Sequence, residues 1–426
     1  MKKLIALFIA LAVLSGVSGC SGGVTPASGS IASPDYPKSI AFDDYDGKLL
    51  VRQNNQLEDS FSNALKEFSY KSASKILENQ TENIIYSPVS LYMALSLAGA
   101  GAAGETQKEI LSVLGTGDNK ADFLSEQNSR LFRLLYSDNE IGKLKIANSL
   151  WLNKGTRFNN GFLEVAVKKF YASSYNIDFA DKNSSKLMSE WIAKNTSGIL
   201  EPKINLNKEQ IMSIINTIYF KDQWVDKFEE KKTKPDTFYL TNGEKVKCDF
   251  MNSSYVTHSF TRGEGFTSSA LALKNSGSMV FILPDKGVST EELLKSPEKA
   301  ARLFEEENMI NGKVIFQIPK FSFGSSLNLL EALKSVGIKE AFKSNADFSG
   351  ITDGIAFISD IKQESHIAID EKGVEAAAFT QIDYAGSSPP KEEKAEMILN
   401  RPYIFAIKDN TGKILFIGVV NNPDEK

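Results

Sequence analysis

Few side chains in this 426-residue sequence are equipped for catalysis. Nucleophilic serine chemistry needs a base within hydrogen-bond reach, usually histidine, and the chain has two, His258 and His366. No Gly-x-Ser-x-Gly elbow joins a strand to a helix, and His366 falls in an alternation that reads as an ordinary strand. Two histidines and two cysteines, Cys20 and Cys248, make no metal-ligand constellation. Enzyme activity is therefore not expected, and no cofactor is implied. The literal GxGxxG at Gly99-Ala100-Gly101-Ala102-Ala103-Gly104 raises dinucleotide binding. That fingerprint needs a buried strand before it and a helix after it, so that pyrophosphate meets a helix N-terminus. Leu91, Ala94, Leu95 and Ala98 instead precede it at helical spacing. The glycines read as a helix-to-helix turn.

A different chemistry, that of backbone pairing, is written into residues 371–384. Val374, Ala376, Ala378, Thr380, Ile382 and Tyr384 are small or apolar at alternate positions, with Glu375, Gln381 and Asp383 polar between them. This is the period of a half-buried strand. Yet the run leads straight into Ala385-Gly386-Ser387-Ser388-Pro389-Pro390 and the charged residues 391–394, which are turn-forming and solvated. Long loops in compact folds are usually functional or disordered. A strand pattern in such a loop points to a segment able to enter a sheet.

The arrangement resembles the reactive-centre loop of the serpins, the serine protease inhibitors. Glu371, Gly373, Val374, Glu375, Ala376, Ala377 and Ala378 look like the family's hinge, and Asn400-Arg401-Pro402-Tyr403-Ile404-Phe405 looks like the strand after the loop. Asn83-Ile84-Ile85-Tyr86-Ser87-Pro88-Val89-Ser90 is similar to the segment opening the family's second helix, and Asn216-Thr217-Ile218-Tyr219-Phe220-Lys221-Asp222-Gln223-Trp224 to a central-sheet strand. Ile282-Leu283-Pro284-Asp285, Ile318-Pro319-Lys320-Phe321, Ala346-Asp347-Phe348-Ser349-Gly350-Ile351 and Gly418-Val419-Val420-Asn421-Asn422-Pro423 follow in family order. The similarity spans nearly everything after Leu57, which a chance motif would not do. It implies an α+β serpin fold. The expected domain has a large central mixed sheet, further sheets, about eight to nine helices and an exposed reactive-centre loop.

The resemblance also implies roles. Ser87, Ser90 and Asn216 match the polar cluster, called the shutter, where the central sheet parts, and Gln363 stands where that cluster commonly has His. Gln donates and accepts through its amide but does not titrate. Trp224 matches the breach tryptophan at the top of the sheet, although an indole there also serves as ordinary core. Family spacing puts the scissile bond between Ser387 and Ser388, to within about a residue. Small residues surround it, and no Lys or Arg occurs between Gly373 and Pro390. Elastase-like, subtilisin-like or papain-like proteases are the expected partners. Trypsin-like enzymes, which need a basic residue, are disfavoured, and Tyr384 keeps a chymotrypsin-like target open. Val374 replaces the usual hinge Thr, and Phe379 replaces a small outward residue, which is expected to slow insertion. The competing reading is a non-inhibitory serpin-fold binding protein.

Composition fits one large mixed domain: no long Gly, Ser or Pro run interrupts residues 58–423, and no repeat period emerges. A net charge of −4 without a basic, aromatic-studded stretch argues against nucleic acid. A monomer is expected. At the N-terminus, Lys2 and Lys3 precede an apolar run over residues 4–14, too short to span a membrane and typical of a secretory signal over 1–19. Val17-Ser18-Gly19-Cys20 resembles the lipobox of bacterial lipoproteins, which implies export and membrane anchoring through a lipidated Cys20. Residues 20–50 read as a tether, opened by a Ser- and Gly-rich stretch, and 51–426 as the serpin domain, with its reactive-centre loop at about 371–398. With Cys20 lipidated, Cys248 has no disulfide partner, so packing must hold the fold.

Overall fold

The computed structural model describes residues 29–117, 121–305, 308–374 and 393–425. The leader, Cys20, the hinge residues Glu375, Ala376, Ala377 and Ala378, and the bond residues Ser387 and Ser388 lie outside the described residues.

One of two sheets is seven-stranded. Its order is β11 (Phe321–Asn328), β12 (Ile358–Ile369), β13 (Gly373–Val374), β5 (Met212–Gln223), β3 (Lys143–Asn153) and β2 (Ser137–Asp138), with β4 (Ala172–Ile177) also on β3. β12 pairs with β5 in parallel, and β3 pairs with β5 antiparallel, so the sheet is mixed. β5 is buried along almost its whole length, which is why its sequence is a near-continuous apolar run. One face meets the main core. The other carries the helix α7 (Lys182–Asn195), whose Met188, Trp191 and Ile192 pack with Trp151, Tyr175 and Ile215.

The second sheet is nine-stranded. It runs β1 (Ile84–Tyr86), β16 (Ile414–Val420), β15 (Tyr403–Lys408), β9 (Gly277–Pro284), β8 (Phe266–Leu273), β7 (Lys245–Gly263), β10 (Ile310–Pro319) and β14 (Lys394–Ile398), with β6 (Lys234–Tyr239) on β7. Ten α-helices are described, against the eight to nine expected. The others are α1 (Tyr45–Asn54), α2 (Asp59–Ile76), α3 (Pro88–Gly101), α4 (Gly104–Val113), α5 (Ala121–Leu135), α6 (Asn160–Phe170), α8 (Thr290–Leu294), α9 (Pro297–Phe304) and α10 (Leu330–Val336).

α3 runs behind the central sheet and is buried nearly all round, as its lack of charged positions allows. Ser87 caps it by accepting from Ser90 N–H, and Pro88 occupies the first turn. The GxGxxG ends α3 and opens α4, as its spacing indicates. A Cβ on Gly101 would lie 2.2 Å from Ile351 and 2.7 Å from Phe162. Close packing, not a phosphate, accounts for the glycine.

From residue 29 onward the segment read as part of a tether makes defined contacts with the domain. Ile31 N–H donates to Ser174 O (2.8 Å) and Ser174 N–H to Ala32 O (2.9 Å), adding a short backbone bridge to β4. Tyr36 stacks on Phe132, Tyr136 and Tyr171 at 6.1, 5.8 and 6.4 Å. Asp44 then caps α1, accepting from Gly47 N–H. Tyr36→Ala should cost about 1–2 kcal/mol, since each aromatic pair adds about 0.5–1.5 kcal/mol beyond area burial. Urea unfolding measures it. An unchanged midpoint would mean that this segment is undocked in solution.

A candidate functional site at the opening of the central sheet

The hinge is already a strand at its root. Gly373 pairs with Gln223, and Val374 pairs with Asp222 on β5 and with Ile369 on β12, so β13 wedges the two strands apart at one end. Val374 is 0% exposed and packs in the main core, which the apolar replacement of Thr permits. Its neighbour Asp222 accepts from the N–H groups of Gln223 (2.8 Å) and Asn275 (3.1 and 3.2 Å). Burial nevertheless pushes its carboxyl up to about 6.

Three residues, Asp370, Trp224 and Glu371, hold the turn that feeds β13. Asp370 accepts from the N–H groups of Lys372 (2.8 Å) and Gly373 (3.1 Å). Trp224 is buried, and its indole N–H donates to Asp370 O at 2.9 Å, while its backbone N–H donates to Lys372 O. The indole is therefore core and hinge support together. Glu371 accepts from the Thr233 hydroxyl (2.7 Å) and pairs with Lys320 (3.0 Å). Burial opposes its charge, but these two partners outweigh that and hold the carboxyl below its ordinary range.

Further down, β12 and β5 touch directly, Gln363 opposite Asn216. Here the structure brings Ser87, Ser90, Asn216 and Gln363 together from three elements. Gln363 Oε1 accepts from Ser87 N–H (2.7 Å), and its Nε2 donates to Ser87 O (3.0 Å) and Asn216 Oδ1 (3.3 Å). Ser90 Oγ donates to Asn216 Oδ1 at 2.6 Å. A fifth member escaped the sequence reading: Asn148 on β3 accepts from Asn216 Nδ2 (2.9 Å) and donates to Phe170 O (3.2 Å). Its only sequence signal is an amide inside an apolar run. Every member is buried and neutral, so the sheet is latched without a charge.

Neither histidine is oriented as a base among the described residues. His366 Nε2 lies 3.3 Å from Ser322 Oγ, but its buried Nδ1 has no hydrogen-bond partner among the described residues, so no carboxylate there orients the ring as a base needs. His258 is engaged with Ala270 O at 2.8 Å and packs on Tyr255 and Phe316. Burial, with Asp424, Asp249 and Asp236 nearby, pushes the Cys248 thiol up to about 12, far from a reactive thiolate.

β13 thus stands between β12 and β5 at one end of a mixed sheet, and a strand-patterned sequence follows it. Residues 63–423 match the family model for "Serpin (serine protease inhibitor)", and the chain belongs to that family, whose members are in general protease inhibitors rather than enzymes, some being non-inhibitory. Serpin-Z2B of Triticum aestivum is 30% identical over 382 residues, covering 84% of this chain and 94% of that protein. The native-state crystal structure of Tengpin, a thermophilic serpin, aligns with a TM-score of 0.78 and 27% identity over 92% of this chain and 97% of its own. Human thyroxine-binding globulin, solved with thyroxine, aligns with a TM-score of 0.77 and 25% identity over 86% of this chain and 99% of that one.

Gln363→Ala should destabilise the chain by about 2–4 kcal/mol, because it strands Ser87 N–H in the core as well as opening a cavity. Chemical denaturation of the purified protein reads this directly. A loss under about 1 kcal/mol would show that the amide network does not latch β5 to β12.

Proposed function

We propose that the chain inhibits proteases as a suicide substrate: the protease cleaves the loop, forms its acyl-enzyme ester, and is carried across the sheet as the loop inserts between β5 and β12. Insertion then distorts the catalytic triad before water reaches the ester. Serpin loop insertion is itself an established case of strand addition. The observation that carries the reading for this chain is a matter of register. Val374 is level with Asp222 and Ile369. Continued antiparallel, Ala378 would lie between Ile218 and Ser365, Thr380 between Asn216 and Gln363, and Ile382 between Ile214 and Ile361. Those are the pairs that already face each other across the parallel β5–β12 contact. The strands need only part sideways.

The chemistry of the lane agrees. Thr380 is the polar residue among the first five inward positions, and it would meet the polar cluster. Ala376 would fall between Phe220 and Ile367, both buried. β12 begins at Ile358, and the register reaches it at about Ala385, so the Ser387–Ser388 bond would stand just beyond the lane. Small residues at that bond support elastase-like, subtilisin-like or papain-like targets. The second reading, a serpin-fold binding protein, is favoured by one observation: Phe379 would arrive outward beside the buried Thr217 and Glu364. That crowding slows insertion.

Export and anchoring through a lipidated Cys20 complete the proposal, supported by Lys2, Lys3, the apolar run at 4–14 and Val17-Ser18-Gly19-Cys20. Cys20→Ala should abolish radiolabelled palmitate incorporation. Unchanged labelling would exclude Cys20 as the anchor.

Protein lacking residues 1–28 should form a denaturant-resistant complex with at least one elastase-like or subtilisin-like enzyme, and the cleaved protein should resist heat far better than the intact one. Ala376→Arg should convert it to a substrate. A charge forced between Phe220 and Ile367 costs several kcal/mol, and about 1.4 kcal/mol is tenfold in rate. Glu375→Arg faces outward beside the partly exposed Lys221, where repulsion costs about 1 kcal/mol or less, and should keep most inhibition. If every protease leaves active, the binding-protein reading replaces inhibition. If the two arginine variants behave alike, the face assignment is wrong.

A further inference from the structure

A cavity of about 390 Å³ lies between α1, the C-terminal end of α5 and the turn joining β15 to β16. Small-molecule sites usually measure about 300–1,000 Å³. Its apolar wall is Val51 of α1, Leu131, Leu134 and Leu135 of α5, Leu144 of β3 and Leu415 of β16. The face that α1 turns to this space is unusual. Lys48, Val51, Arg52 and Asn55 line the cavity at three- and four-residue intervals, while Leu49 and Leu50 are 52% and 57% exposed on the other side. A helix placed only to pack would bury its leucines and expose its cations. This one does the reverse.

Lys38, Lys48, Arg52, Arg133 and Lys413 line the cavity, and Asp409 is the one acid of that lining, in a chain whose net charge is −4. Asp409 is taken up by its own turn, accepting from the N–H groups of Thr411 and Lys413, both at 2.8 Å. None of the five cations is in an ion pair among the described residues. Arg133 Nε donates to Asn55 Oδ1 (2.6 Å) and Nη1 to Ser129 Oγ (2.5 Å), which leaves Nη2 without a hydrogen bond among the described residues. Lys48 donates to Phe42 O at 2.7 Å. Burial, with Arg52 beside it, holds its ammonium below the ordinary range against the pull of Glu140, Asp222 and Asp43. Glu140 accepts from Phe42 N–H (3.3 Å), and Asp222 from the N–H groups of Gln223 and Asn275. The cations therefore meet at an apolar wall with their charge unanswered.

We infer that this cavity binds a small amphiphilic anion, an alkyl carboxylate of medium length, with its chain against the leucines and its carboxylate on Arg133. The wall contributes affinity in proportion to the apolar area it removes from water. The guanidinium, half-buried and already oriented by Asn55 and Ser129, contributes a charge-assisted grip that suits a planar carboxylate. Like charges gathered beside a space of low dielectric favour a negative guest and penalise a positive one. An inorganic anion would answer the cations but leave the leucines wet. A neutral alcohol would do the opposite. Nothing in this site depends on residues 375–392, so it stands apart from the insertion reading.

Decanoate, kept below its micelle-forming concentration, is the probe. Calorimetric titration of the intact protein should show one saturable site, and decanoate should raise the thermal midpoint as a ligand of the folded state does. Decanol, decyltrimethylammonium and pyrophosphate should each bind at least about tenfold more weakly, since a hydrogen bond to a charged group is worth about that much. Arg133→Gln should weaken decanoate by a similar factor yet leave decanol unchanged, a split that lost packing alone would not give. Val51→Trp fills the cavity from α1 and should abolish decanoate binding; Leu134→Trp makes the same test from α5 where the first variant fails to fold. Arg130→Gln, one turn earlier on α5 and paired with Glu126, should bind normally. The inference is overturned by the lack of a saturable site, or by equal affinity for decyltrimethylammonium or pyrophosphate. Decanoate binding that survives Arg133→Gln or a folded tryptophan variant overturns it too, as does an equal loss in Arg130→Gln.

Discussion

Everything in this molecule turns on the contact between β5 and β12, a parallel pairing at the centre of an otherwise well-tied sheet. Parallel ladders are slightly weaker per residue than antiparallel ones. This contact is also held by nothing covalent, Cys248 being the free cysteine of the described residues. An antiparallel strand entering here replaces one parallel ladder by two antiparallel ones, so the backbone has more hydrogen bonds after entry than before. The difficulty is kinetic, because the existing ladder and the amide cluster behind it must open before the new bonds form. Val374 removes part of that difficulty by already standing between the strands at one end.

The latch behind the seam shows why neutrality matters. Gln363, Asn216, Asn148, Ser87 and Ser90 satisfy one another through amides and hydroxyls, so each bond broken on opening costs a modest net amount. A buried ion pair in the same place would demand the desolvation of whichever charge was left alone, several kcal/mol at a stroke. Gln363 in place of a titratable ring keeps this inner latch indifferent to pH. Glu371 with Lys320, by contrast, lies at the hinge root, where the pair need not break for the strand to enter.

Of the five residues that the structure gathers between β5 and β12, Ser87, Ser90 and Asn216 were legible because each sits in a short string whose local pattern is distinctive, and Gln363 through its spacing from Gly373. The GxGxxG was legible for the opposite reason: its context contradicted the motif. Asn148 was not, since what singles it out is its position across β3 from Asn216, and one amide in an apolar run carries no mark of its partner. The docked segment before α1 was missed because its composition argues for flexibility. Its tie to Ser174 is backbone to backbone, which any side chains would allow, and only Tyr36 offered an apolar clue.

The two faces of the β5–β12 seam differ in chemistry. Inward, the seam is apolar except at the amide cluster, so the insertion proposed above asks for small or apolar residues there, with a hydroxyl tolerated at the cluster. Outward, β12 carries Asp360 and Glu364, and burial raises both carboxyls against the pull of Lys362. The same pair of strands is therefore neutral on the side where the amides close it and acidic on the other, so a substitution that suits one face need not suit the other.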